Sequence, residues 1–136
     1  EAVDLPLIHV IDATAQRAKE HGLSRLGLLG TQYTMDDGFY QERMEQNGLQ
    51  ILVPGTNEQQ RIHEIIVQEL VRGQIRDASR KVYLRVIEKL IRAGAEGIVL
   101  GCTEIPLLIR QEDTTAPLLD TAVIHADAAL EYALGA

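Results

Sequence analysis

Residues able to do chemistry gather in two short segments. Gly101-Cys102-Thr103-Glu104 sets the chain's single thiol beside a hydroxyl and a carboxylate. A thiol in such company is a candidate proton carrier or nucleophile, because the thiolate is the reactive form and its neighbours decide how easily it forms. The segment follows an apolar run and precedes an expected helix, whose unpaired N–H groups would lower the pKa of Cys102. Glu104 would oppose that effect if it faced the sulfur. The second segment, Gly30-Thr31-Gln32-Tyr33-Thr34-Met35, offers two hydroxyls and the N–H groups of a strand-to-helix turn. Those groups suit a carboxylate or phosphate, and Thr31 and Thr34 serve equally well as helix N-caps. The plain alternative for Cys102 is a small buried hydrophobe, the usual fate of a lone cysteine.

Other motifs fall away. Gly27-Leu28-Leu29-Gly30 lacks the spacing of a dinucleotide fingerprint, and no Gly-Lys-Ser/Thr is present. His63-Glu64-Ile65-Ile66-Val67 begins like a zinc-protease helix but has Val67 where the second histidine belongs, so no metal site is expected. His9 and His21 read as surface or capping residues. His125 stays a candidate because Asp120-Thr121 and His125 surround another strand exit.

Positioning these residues requires strands and helices in alternation. Arg25–Gly30, Leu49–Val53, Gly97–Gly101 and Pro117–Asp120 read as short strands. Between them lie helices: one over Asp12–Gly22, one from about Thr31 to Gly48, one from Asn57 to Gly73, and one from Asp77 to Gly94. Asn57 and Gln60 resemble a capping box, and Val82/Val86/Leu90 with Tyr83/Ile87/Ile91 step by four along one helix face. Ile105–Ile109 is expected to be a short helix, and a last one runs from Thr121 to about Leu134. Strands separated by helices imply crossover connections, hence an α/β layered domain with a mostly parallel sheet flanked by helices.

The chain has 136 residues, enough for one domain with a core of its own. Thirteen Lys and Arg against twenty Asp and Glu give a net charge of −7, without a basic run, so nucleic acid and anionic membrane are poor partners. No apolar stretch reaches the roughly 18 residues of a membrane span, and Glu1-Ala2-Val3-Asp4 is no signal peptide. A single cysteine excludes an intrachain disulfide and fits a reducing cytoplasm. The apolar run Leu5–Ile11 has no partner before it. It reads as an edge strand, which Pro6 would suit, or as a strand built for a sheet upstream, and the chain reads as a piece of a longer protein.

Taken together, Gly27-Leu28-Leu29-Gly30-Thr31 with Tyr33-Thr34-Met35 and Phe39-Tyr40, Leu52-Val53-Pro54, Ala78-Ser79-Arg80 with Tyr83, Gly94 through Ile105, and Asp120-Thr121 with Ile124-His125-Ala126 resemble the aspartate/glutamate racemase superfamily, closest to its aspartate and broad-specificity amino-acid branch. The resemblance covers nearly the whole chain. It implies a cofactor-independent racemase of two pseudo-symmetric α/β domains, each giving one cysteine to a site between them. One thiol removes the α-proton of a small amino-acid or dicarboxylate substrate and the other returns a proton on the opposite face.

Cys102 matches the second of the two cysteines. By the same matching Thr31, Gln32, Thr34, Thr103 and Glu104 fall to the substrate, with Arg76 and His125 as further candidates. Many relatives carry a basic residue at position 32 and lysine at 76; here Gln32 and Arg76 stand there. The family's first domain has no counterpart in this chain. Residues 1–22 match the segment between domains, 23–115 the second domain, and 116–136 a strand and helix that would pack on the absent half. A homodimer pairing two copies of Cys102, or pairing with the absent domain, is expected. The alternatives are a single-thiol relative, such as a decarboxylase or maleate-type isomerase, and a folded module without catalysis.

Overall fold

The computed structural model describes residues 5–135. Helix α1 (Leu5–Glu20) leads into β1 (Arg25–Leu29), followed by α2 (Gln32–Asp36), α3 (Phe39–Gln46) and β2 (Gln50–Leu52). Helices α4 (Thr56–Gln68) and α5 (Asp77–Arg92) come next, then β3 (Gly97–Leu100), β4 (Leu118–Asp120) and α6 (Thr121–Gly135). The four strands form one parallel sheet in the order β2-β1-β3-β4. Leu28 pairs with Val99 and Val99 with Leu119, so the apolar runs of the sequence stack side by side. Both central strands are buried along nearly their whole length, as continuous apolar runs in a parallel sheet require.

Three expectations need correction. Leu5–Ile11 is not a strand but the opening of α1. Ile11, Thr14, Ala15 and Ala18 form a buried stripe at helical spacing, and Pro6 lies in the first turn, where its missing N–H costs no hydrogen bond. The helix after β1 is not continuous: Gly38 adopts φ +90°, a left-handed conformation, and splits it into α2 and α3. The capping arrangement of α4 starts earlier than Asn57 and Gln60, with Gly55 as N-cap and its N–H donating to the Glu58 carboxylate at 3.4 Å.

Helix α5 carries the best-matched periodicity. Tyr83, Val86, Ile87 and Leu90 are buried, and the Tyr83 hydroxyl donates to the Ile62 carbonyl of α4 at 2.9 Å. Tyr83→Phe keeps the ring and removes this buried bond. Its expected cost is about 1 kcal/mol, a fall in Tm of about 3–5 °C by calorimetry.

On the outer side α1 packs against α3 and α6. The Asp12 carboxylate receives both Arg43 Nε and an Arg43 terminal nitrogen, at 2.8 and 2.7 Å, and Asn47 at 3.0 Å. These bonds from Arg43, then Asn47, hold Asp12 below the ordinary carboxylate value despite partial burial. Val123, Leu130, Tyr132 and Leu134 of α6 stay exposed. Among the described residues no helix is long and apolar enough to cross a membrane.

Candidate active site

Strand order decides where a ligand would bind. The chain leaves β1 for β2 on one side, then returns to place β3 on the other, so the connections diverge between β1 and β3. Parallel α/β sheets bind ligands outside the carboxyl ends of the strands at this kind of switch point. The two segments singled out in the sequence, Gly30–Met35 after β1 and Gly101–Glu104 after β3, both begin there.

Gly101 brings them together. Its N–H donates to the Leu29 carbonyl at 2.8 Å. A Cβ at Gly101 would stand 3.1 Å from that carbonyl oxygen and 3.7 Å from the Thr34 methyl. The first contact is tight for a Cβ, so glycine is the residue that lets the turn bearing Cys102 lie this close to the turn bearing Thr34 without a shift of its neighbours.

Around the thiol the geometry is tight. Cys102 is half-buried, and its Sγ–H donates to Glu104 Oε1 at 3.0 Å. The exposed Thr103 hydroxyl donates to the same oxygen at 3.0 Å. Burial first, and then the hydrogen bond to Glu104, push the thiol up to about 11. The backbone N–H groups of Glu104 and Ile105 pull the other way and are outweighed. In return the bonds from Cys102, then Thr103, hold Glu104 below the usual carboxylate range.

This reverses the expected lowering of the Cys102 pKa. The following element is only a 3₁₀ turn, Ile105–Leu107, too short to develop much of a dipole, and Glu104 does face the sulfur. Beneath the site, burial keeps Tyr83 protonated far above its ordinary value, with the charges of Cys102 and Glu69 adding to the effect. Arg80 Nε donates to the Leu108 carbonyl at 2.9 Å, tying α5 to the end of the Cys102 loop.

At the β1 exit Thr31 is the N-cap of α2. Its Oγ1 accepts from the Thr34 N–H at 3.3 Å and lies 3.1 Å from Thr34 Oγ1. Two hydroxyls bonded to each other use one of their protons and leave the other for a ligand oxygen. Thr31→Ala removes the cap and one of these hydroxyls. It should cost about 1 kcal/mol in urea unfolding, with Thr31→Ser restoring most of it.

The remaining candidates belong to the starts of α5 and α6. Arg76 is exposed at the N-cap of α5, with its guanidinium on Gln74 Oε1 at 3.0 Å. His125 is exposed on α6, just past its first turn. That turn is capped by Asp120, whose carboxylate accepts from the N–H groups of Ala122 and Val123, while the Thr121 hydroxyl donates to the Leu100 carbonyl at 2.9 Å. One residue near the site was set aside in the sequence: His63 of α4, whose Nδ1 accepts the Gln32 N–H at 3.0 Å. The packing of α4 on α2 makes this contact, and no local pattern announces it. Among the described residues no group of three or more His, Cys, Asp or Glu is arranged to hold a metal ion.

The Asp/Glu/Hydantoin racemase family model matches residues 1–129. A crystal structure from Yersinia pestis, of a protein provisionally described as an Asp/Glu racemase, superposes with a TM-score of 0.89 at 45% identity, covering 93% of this chain and 56% of that one. An aspartate racemase homologue from Pyrococcus horikoshii gives 0.86 at 38% identity, over 91% of this chain and 54% of that one. Glutamate racemase of Hydrogenobaculum sp. is 28% identical over 97% of this chain and 49% of its own length. The chain thus spans about half the length of these relatives.

Proposed function

Because the chain belongs to the Asp/Glu/hydantoin racemase family, we propose that it carries one proton-transfer half of an amino-acid racemase needing no cofactor, with Cys102 as the acid–base group at Cα. The observation that carries this reading is the Cys102–Glu104 pair at the switch point of the sheet. A thiol pushed up to about 11 gives a thiolate that is scarce at neutral pH but strongly basic, which suits a carbon acid as weak as an amino-acid Cα–H. The thiolate takes the α-hydrogen as a proton, and the bonding electron pair stays on Cα, delocalised into the substrate carboxylate. The S–H so formed rests on Glu104 Oε1. Thr31 and Thr34 hold the substrate carboxylate equally before and during proton transfer, while Thr103 and the N–H groups of the turn after β3 meet it as its charge grows. Gln32, beside Thr31, reads the substrate side chain, and a small acidic amino acid is the substrate class.

Inversion requires a second base on the opposite face of Cα, and this chain holds one cysteine. The second base comes from a companion domain or a second copy. The exposed Val123, Leu130 and Leu134 of α6 support packing of that half against this helix. Residues 23–115 form the thiol-bearing unit in this reading, with α1 and the chain from 116 onward bordering the companion half.

The test follows from the single thiol. Incubated with L-aspartate or L-glutamate in D2O, the chain should place deuterium at Cα, detected by loss of the Hα NMR signal. Optical rotation should fall only where a second thiol joins the site. No exchange above that of Cys102→Ser removes catalysis from the chain, and conversion of maleate to fumarate in its place would favour a single-thiol isomerase.

A further inference from the structure

We propose that His63 is a positioning residue for substrate recognition, holding the turn after β1 through the Gln32 amide. The proposal rests on the racemase reading and adds a residue from a third element to the site. His63 is half-buried on α4, thirty-one positions from Gln32, and its Nδ1 accepts the Gln32 N–H at 3.0 Å. The neighbouring peptide groups already have partners within the turn: the Thr31 carbonyl accepts from the Met35 N–H at 3.0 Å, and the Thr34 N–H goes to Thr31 Oγ1. The Gln32 N–H stands at the first position of α2, ahead of the first intrahelical bond, and has no acceptor within the helix. The imidazole supplies that acceptor from outside. It fixes the orientation of the Thr31–Gln32 peptide, and with it the directions in which the Thr31 hydroxyl and the Gln32 side chain leave the backbone.

Two consequences separate this role from general support of the fold. A ring accepting at Nδ1 carries its proton on Nε2, so one tautomer is selected. Moreover, His63 supports the turn after β1, while the Cys102–Glu104 pair lies on the turn after β3. Loss of His63 should therefore weaken substrate binding and spare proton transfer.

Long-range 1H–15N spectra of the chain identify which imidazole nitrogen is bare, and the exchange rate of the Gln32 amide reports its hydrogen bond. The expected result is a bare Nδ1 in the wild type. In His63→Leu the Gln32 amide should exchange about tenfold faster, and KM for the acidic amino acid should rise about fivefold with kcat within twofold of wild type. His63→Asn, whose Oδ1 takes the place of Nδ1 as acceptor, should restore both. A protonated Nδ1, a fall of kcat in place of the rise in KM, or an Asn variant that leaves the Gln32 amide unprotected would overturn the proposal. Should the wild type show no Cα exchange at all, the racemase reading fails, and the imidazole and amide resonances decide the positioning role by themselves.

Discussion

Replacing Cys102 by serine is expected to cut Cα hydrogen exchange on aspartate or glutamate by about 10²–10⁴-fold, the range over which a positioned acid–base group accelerates proton transfer. A serine hydroxyl fits the space and still donates to Glu104, so the fold should survive. What is lost is the base, since a hydroxyl ionises far above even the raised thiol. Exchange followed by loss of the Hα signal in D2O measures the effect, and urea unfolding checks that stability changes by less than about 1 kcal/mol. Exchange persisting at the wild-type rate would take Cys102 out of the reaction and return it to the role of a packed hydrophobe.

Glu104→Gln should make Cys102 easier to ionise. The thiol sits at about 11, against an ordinary 9.0, because of burial first and then Glu104, which accepts its hydrogen and repels the thiolate. Glutamine keeps the shape and removes the charge, while burial remains. The midpoint should then fall from about 11 toward 9.0 without passing below it. Each unit of fall raises the thiolate fraction at pH 8 about tenfold. The pH dependence of the rate of Cys102 alkylation by iodoacetamide, followed by mass spectrometry, reads this directly in a chain with a single cysteine. The sign is the diagnostic point. A carboxylate acting on the thiol raises its midpoint and its removal lowers it, whereas an unchanged or higher midpoint would mean that Glu104 does not face the sulfur in solution.

Much of this arrangement was legible in the residues. The runs Arg25–Leu29 and Gly97–Leu100 are strands because buried parallel strands need unbroken apolar residues, and their exits carry the polar groups that no core would keep. The steps of four from Val82 to Leu90 and from Tyr83 to Ile91 gave α5 nearly to the residue. Leu5–Ile11 misled because a short apolar run has no period of its own; only its continuation through Thr14, Ala15 and Ala18 shows the helix. The direction of the Cys102 shift depended on where one side chain two positions away turned its carboxylate, which spacing does not specify. The His63–Gln32 bond depended on how α4 lies on α2. Local pattern gives elements and strand ends; the contacts across them belong to packing.

The pairing of β1 with β3 has a further consequence, for how the protein comes to exist. The proposed site spans both turns, which meet only when strands far apart in the chain align as Leu28 with Val99. Between them the polypeptide must first complete an entire excursion through α2, α3, β2, α4 and α5. Closing so long a loop costs entropy before any contact repays it, which slows such topologies. Competence for chemistry should therefore emerge late in refolding, after most helical signal has returned.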